Sequence, residues 1–282
     1  MAAEPTLTPA QRWATGITIG EPASVYHRRE LGVASKSGLD QMHRSPAHYR
    51  AWVEGEDGEQ TPAMRIGSAF HCLLLEPDRY TSSYIVKPAG MKLNTKDGIA
   101  WAKEHGITSA DDPRLLSADA ERDLLGMQAA ILCHPAASRI VCDGAAEVSL
   151  RWLDEDTGVR CEARADYWVR KRRLCADLKS TEDASPEEFA KSVARFRYHV
   201  QDAMYRDGFR HCGEPVDHFA LVCVEKKAPF AVAVYTLDVE AVRKGYTAAR
   251  VGVDRMAECI RTGEWPAYHD GVSELSLPSW TA

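Results

Sequence analysis

From Glu147 onward the hydrophobic period of this chain switches to strict alternation, and no other feature narrows its possible folds as much. "EVSLRWL" alternates and "DEDTG" supplies a turn. "VRCEARADYWV" then places Val159, Cys161, Ala163 and Ala165 on one face, with Arg160, Glu162, Arg164 and Asp166 on the other. The pattern predicts a half-buried strand. "RKRR" reads as the next turn and "LCADLKS" as a third strand, giving an antiparallel meander. Ser185-Pro186-Glu187-Glu188 then combines an N-cap serine, a proline at the first helical position and a glutamate at N3, so a helix begins there. Helical sequence continues, with a break, to about Arg210. "FALVCVE" and "AVAVYTL" are two further strands, and residues 238–262 a long final helix. This order predicts an α/β core with a mixed central sheet flanked by helices.

Upstream the period is helical. "SKSGLDQMHRSPAHYRAWV" follows a serine N-cap at Ser35 or Ser37 and offers Leu39, Met42, Tyr49 and Trp52 to a core, with Pro46 breaking or restarting it. In "TPAMRIGSAFHCLLLEP", Met64, Phe70, Leu73 and Leu74 recur at helical spacing, and His71 falls one turn after Gly67. Residues 86–118 should include an exposed loop, and a helix should follow from Ala118 to Leu132. Residues 1–25 read as a flexible arm and 26–282 as one domain.

The chain has 282 residues, 45% of them hydrophobic, enough for a sizeable core. It has neither an apolar run long enough to span a membrane nor an N-terminal secretory pattern, which predicts a cytoplasmic protein. Eight cysteines without a C-x-x-C pair predict reduced thiols and no iron–sulfur cluster. A net charge of −6 gives no general attraction to nucleic acid, so such binding would need local patches. Arg170 to Arg173, Arg195 with Arg197, and Lys226 with Lys227 are the candidates.

Asp177 and Lys179 project from one face of their strand while Leu178 points into the core. Asp166, near the end of the neighbouring strand, can lie beside Asp177. Two carboxylates so placed repel unless a cation sits between them, and oxygen ligands suit Mg²⁺ or Mn²⁺, with the Leu178 carbonyl able to add one. Lys179 could then orient or help deprotonate an attacking water at a phosphate. Asp-x-Lys alone is weak, since Glu225-Lys226-Lys227 also fits. The flanking Gly67-x-x-x-His71 and Gln201-x-x-x-Tyr205 favour 177–179, the latter pair sharing a helix face from which it can reach a phosphate or base.

This ordered set resembles the RecB-like branch of the PD-(D/E)xK nuclease superfamily. "SKSGLD", "GSAFHCLLLEP", "RYHVQDAMYRDG" and "EWPA…LSLPSW" narrow it to similarity with RecE-type exonucleases, from about residue 25 to the C-terminus. The resemblance implies His71, Asp166, Asp177 and the Leu178 carbonyl as metal ligands and Lys179, Asp166 and Asp177 as catalytic residues. Glu147, Gln201 and Tyr205 are implied as supporting or DNA-binding residues. It also implies Mg²⁺, with Mn²⁺ possible and two ions expected, and a 5′→3′ exonuclease acting on linear double-stranded DNA to leave 3′ single-stranded tails for phage-type recombination. A toroidal homo-oligomer, with a tetramer favoured, and a RecT-type annealing protein as partner complete the expectation. The alternatives are another PD-(D/E)xK DNA nuclease, cutting internally or on single strands, and a non-catalytic DNA-end-binding protein.

Overall fold

The computed structural model describes residues 13–55 and 60–277. In chain order these form β1 (Gly16–Ile19), α1 (Ala23–Tyr26), β2 (Val33–Ala34), α2 (Lys36–Arg44), α3 (Pro46–Glu54), α4 (Pro62–Leu75), α5 (Pro77–Ser83), β3 (Ile85–Lys87), α6 (Lys96–Glu104), β4 (Leu115–Ser117), α7 (Ala118–Cys133) and α8 (Ala137–Ile140). The second half follows as β5 (Ala145–Leu153), β6 (Arg160–Val169), a 3₁₀ turn (Arg170–Arg172), β7 (Leu174–Thr181), α9 (Pro186–Arg195), α10 (Tyr198–His211), β8 (His218–Glu225), β9 (Val232–Tyr235) and α11 (Val239–Thr262).

Local chemistry sets most boundaries. Ser35 accepts from the Gly38 N–H to cap α2, and Ser45 accepts from the His48 N–H to cap α3, so Pro46 restarts the helix at its first position. Asp238 caps α11, and Gly263 ends it in the left-handed conformation that glycine adopts without steric cost. Ser185 makes no side-chain cap bond; its own N–H donates instead to Asp183, 2.7 Å away. The break between α9 and α10 falls at Arg197, whose φ of 54° cannot continue a right-handed helix.

The main sheet runs β1-β5-β6-β7-β8-β9, with β2 added alongside β6. Pairings are antiparallel except β7 with β8 and β2 with β6, and α9 and α10 form the crossover between β7 and β8. One face packs Leu39, Met42, Phe209 and Met256 against Leu150, Cys161 and Leu221. The other packs Phe70, Leu124, Met127 and Ile131 against Leu178, Val222 and Val224. This is the mixed sheet between helical layers that the sequence predicts. Among the described residues no helix is long and apolar enough to cross a membrane.

Two expectations change and one gains detail. Residues 86–118 include the expected exposed loop at 88–95 and also hold β4 and α6, with β3 (Ile85–Lys87) pairing with β4 in a small parallel sheet. Of the arm expected over 1–25, residues 1–12 lie outside the described residues, while β1 pairs with β5 at the edge of the main sheet. The polar face of β6 is not open to water: Glu162 and Arg164 are 5% and 7% exposed. Arg151 reaches across from β5 to hold Glu21 through two hydrogen bonds of 2.8 and 2.9 Å, and lies 3.5 Å from Glu162. The strand alternates as its sequence predicts, but its charged face is covered by the segment after β1. Charges buried this way persist because each has an opposite partner.

Candidate active site

β6 and β7 pair only through Tyr167–Ala176, Trp168–Cys175 and Val169–Leu174. The next rung would set Asp166 opposite Asp177, and the strands part there. The Leu178 N–H, freed from the ladder, donates to Asp166 Oδ2 at 2.8 Å. On the other side of β6 the register from Ala146–Tyr167 to Val148–Ala165 leaves Glu147 facing Asp166 without a backbone rung. Glu147 has a φ of 53°, a left-handed conformation that costs a residue with a Cβ about 1–2 kcal/mol. That strain sits where a carboxylate is turned toward the site. Arg164 Nε donates to Glu147 Oε2 at 2.5 Å and holds it.

From the facing helical layer α4 brings His71, whose Nε2 lies 3.1 Å from the Leu178 carbonyl and whose Nδ1 lies 3.5 Å from Asp166 Oδ2. Ligand atoms of His71, Glu147 and Asp166 all fall within 4.8 Å of one another. Two ligands about 2.1 Å from one ion, at a right angle, are about 3.0 Å apart. The His71–Leu178 spacing is close to that, and one imidazole with two carboxylates and a carbonyl suits a hard divalent cation. Cys72 borders the same cleft, and burial pushes its thiol up to about 11. Asp166 is held well above the usual carboxylate range, first by burial and then by the charge of Asp177. A cation bound there would relieve that opposition.

Asp177 is 1% exposed. Its Oδ1 accepts from Gln201 Nε2 at 2.5 Å, and its Oδ2 lies 2.5 Å from Lys179 Nζ, an ionic contact without the alignment of a hydrogen bond. Burial opposes the Lys179 ammonium, but Asp177 and Asp166 outweigh it and raise its pKa. Gln201 and Tyr205 stand behind Asp177. Both are 7% exposed, and Gln201 Nε2 also donates to the Tyr205 hydroxyl at 3.0 Å, so Gln201 orients Asp177 while Tyr205 holds Gln201 and borders the cleft. Tyr198, which sequence reasoning missed, lies beneath Lys179 with its ring centre 4.4 Å from Nζ. Its signal was present: Tyr198, Gln201 and Tyr205 recur at helical spacing on one face.

An open cleft of about 780 Å³ leads to Asp166, His71 and Glu147, with the segment from Tyr26 to Ser37 along one wall. Gly67 is not required by packing, since a methyl group there would meet only the Ser180 hydroxyl at 3.9 Å. The predicted basic patches are largely neutralised. Arg170 pairs with Glu214, Arg173 with Asp217, Arg197 with Asp40, Lys226 with Glu182 and Lys227 with Asp123. Among the described residues, the competing Glu225-Lys226-Lys227 triplet belongs to no cluster of three metal-ligating side chains; Glu225 accepts from the Ala184 N–H.

Residues 35–275 match the family model described as a PDDEXK-like domain of unknown function, DUF3799. The chain belongs to that family. This PDDEXK-like chain is thus of PD-(D/E)xK nuclease type, as the parted strands with Asp166, Asp177 and Lys179 lead one to expect. Among solved structures it is similar to a protein from Eubacterium rectale described as a candidate exonuclease, at 13% identity and a TM-score of 0.60, covering 94% of this chain and 99% of that one. That likeness concerns the fold. A phage-related exonuclease from Haemophilus somnus matches at 11% identity over 86% of this chain and 99% of that one, with a TM-score of 0.34 too low to carry an argument. No curated protein matches.

Proposed function

We propose that this PDDEXK-like chain is a metal-dependent exodeoxyribonuclease that degrades one strand of linear duplex DNA from its 5′ end and leaves 3′ single-stranded tails for phage-type recombination. The observation that carries the reading is the parting of β6 and β7 at Asp166 and Asp177, with His71 and Glu147 turned to Asp166 and Lys179 held on Asp177. The implied ligands are His71, Asp166, Asp177 and the Leu178 carbonyl, and Glu147 lies close enough to join them. Mg²⁺ or Mn²⁺ so held, one or two ions, would supply an activated water and neutralise charge on the scissile phosphate.

The chain's own groups do the remainder. Lys179, always charged next to two carboxylates, places an ammonium where a phosphate oxygen gains charge and positions the attacking water. Gln201 and Tyr205 keep Asp177 in one orientation, and Arg164 does so for Glu147. The RecE-type resemblance supports the 5′→3′ polarity, the toroidal homo-oligomer and the RecT-type annealing partner, which we carry as parts of the proposal.

The test is a timed digestion of 5′- and 3′-end-labelled linear duplex, nicked circle and single strand with Mg²⁺, Mn²⁺ or chelator. Loss of the 5′ label as mononucleotide from linear duplex alone, abolished by chelator and cut at least about a hundredfold by Lys179→Ala, is expected. Cleavage of the circle would replace the exonuclease reading with an endonuclease, and preference for single strands would replace the duplex substrate with a single-stranded one. Undigested DNA, or a Lys179→Ala variant as fast as the parent, would end the nuclease reading.

A further inference from the structure

Phe196 is 47% exposed at the junction of α9 and α10, an unusual place for a bare aromatic ring in a molecule with ample core. It is not loosely held. Its ring stacks on Tyr198 with centroids 5.7 Å apart and planes 24° from parallel, and Tyr198 packs in turn against the buried Phe189 at 6.1 Å. Lys36 Nζ donates to the Phe196 carbonyl at 2.7 Å and fixes the junction. Tyr198 is also the ring beneath Lys179, so the exposed face continues the aromatic stack that begins at the catalytic ammonium. Lys36 also lines the cleft that leads to Asp166, so one side chain touches both the junction and the cleft.

The charge at the ring is positive. The Arg195 guanidinium lies 5.4 Å from its centre, and Arg195 is itself exposed. An exposed aromatic ring with a guanidinium beside its face suits a flat, electron-rich ring on an anionic backbone. The other basic runs are tied to carboxylates, and the ring beside Arg170, that of Trp168, is buried.

We propose that Phe196 is a stacking platform for an unpaired nucleobase of the strand held at the active site, with Arg195 following that strand's phosphates. The inference rests on the nuclease reading for its location but names a separate contact. Stacking of this kind tolerates any base and requires one, which sets it apart from phosphate binding.

The experiment measures binding of the full-length parent, without divalent metal, to a fluorescent single-stranded oligonucleotide and to the same backbone with abasic residues. The parent is expected to prefer the base-bearing strand at least about fivefold. Phe196→Ala should abolish that preference and leave abasic binding unchanged, whereas Phe196→Trp should keep it; a surface ring can be replaced without opening the core. Equal affinity for both strands in the parent, or a preference that survives Phe196→Ala, overturns the platform, and a ring that serves only a protein partner would give that result. If the parent digests no DNA, the nuclease reading fails, while the contrast between base-bearing and abasic strands still decides the role of Phe196.

Discussion

Replacing Arg151 by methionine tests how the buried charges behind the site hold its wall in place. Arg151 is 3% exposed and makes two hydrogen bonds to Glu21, and Glu162 lies 3.5 Å from its Nε. Methionine nearly conserves the volume but leaves the side chains of Glu21 and Glu162, 3% and 7% exposed, without that cation. Removing one partner of such a buried pair costs about 3–5 kcal/mol. In a chain this long each kcal/mol shifts the melting temperature by about 2–4 °C, so Arg151→Met should melt about 6–20 °C below the parent. Glu21 also anchors the chain just before Tyr26 to Ser37, the wall of the cleft. Metal-dependent digestion should therefore weaken at temperatures where the variant is still folded. A double-mutant cycle with Glu21→Gln, read by urea denaturation, should return a coupling of about 0.5–3 kcal/mol. A loss below about 1 kcal/mol for Arg151→Met, or a Glu21→Gln cost unchanged in the Arg151→Met background, would refute the reasoning.

Other perturbations follow from the same geometry. Gln201→Leu removes the amide donor to buried Asp177 and should cost about 1.5–3 kcal/mol in urea melts, with a slower reaction at saturating metal as Asp177 loses its fixed orientation. Gly245→Ala puts a Cβ 2.0 Å from the His199 carbonyl where α11 crosses α10, and overpacking of this kind costs about 1–3 kcal/mol; calorimetry should show the lower melting point. Burial and Asp177 push the Asp166 carboxyl up to about 7. A raised acid favours the folded state while protonated, so the metal-free protein should lose that contribution as pH rises from the ordinary carboxylate range through about 7. Asp166→Asn should flatten that part of the stability curve, and an unchanged slope would contradict the shift.

How much of this was legible in the sequence depends on the range of the interaction that decides each part. Period and caps act within a few residues, so "EVSLRWL", "LCADLKS", the serine at 35 and the helix face shared by Gln201 and Tyr205 declare their elements directly. The alternation also places Asp177 and Lys179 together and sets Asp166 on the neighbouring strand. What the alternation cannot declare is what covers a polar face. Arg164 and Glu162 look solvated until the segment after β1 folds over them, a contact in which Glu21 and Arg151 are 130 residues apart. The same holds for the direction of Gln201: helical spacing puts it on a face with Tyr205, but only the packing of α10 on the sheet turns that face toward Asp177 rather than outward. The sequence by itself determined the elements from Glu147 onward, their order and the chemical types at the site, because these follow from local backbone preference and side-chain chemistry. Tertiary structure alone decided where β6 and β7 part, that Glu147 turns toward Asp166, and that most basic runs meet carboxylates. Those outcomes depend on which distant segments share one small volume, and no local pattern encodes that.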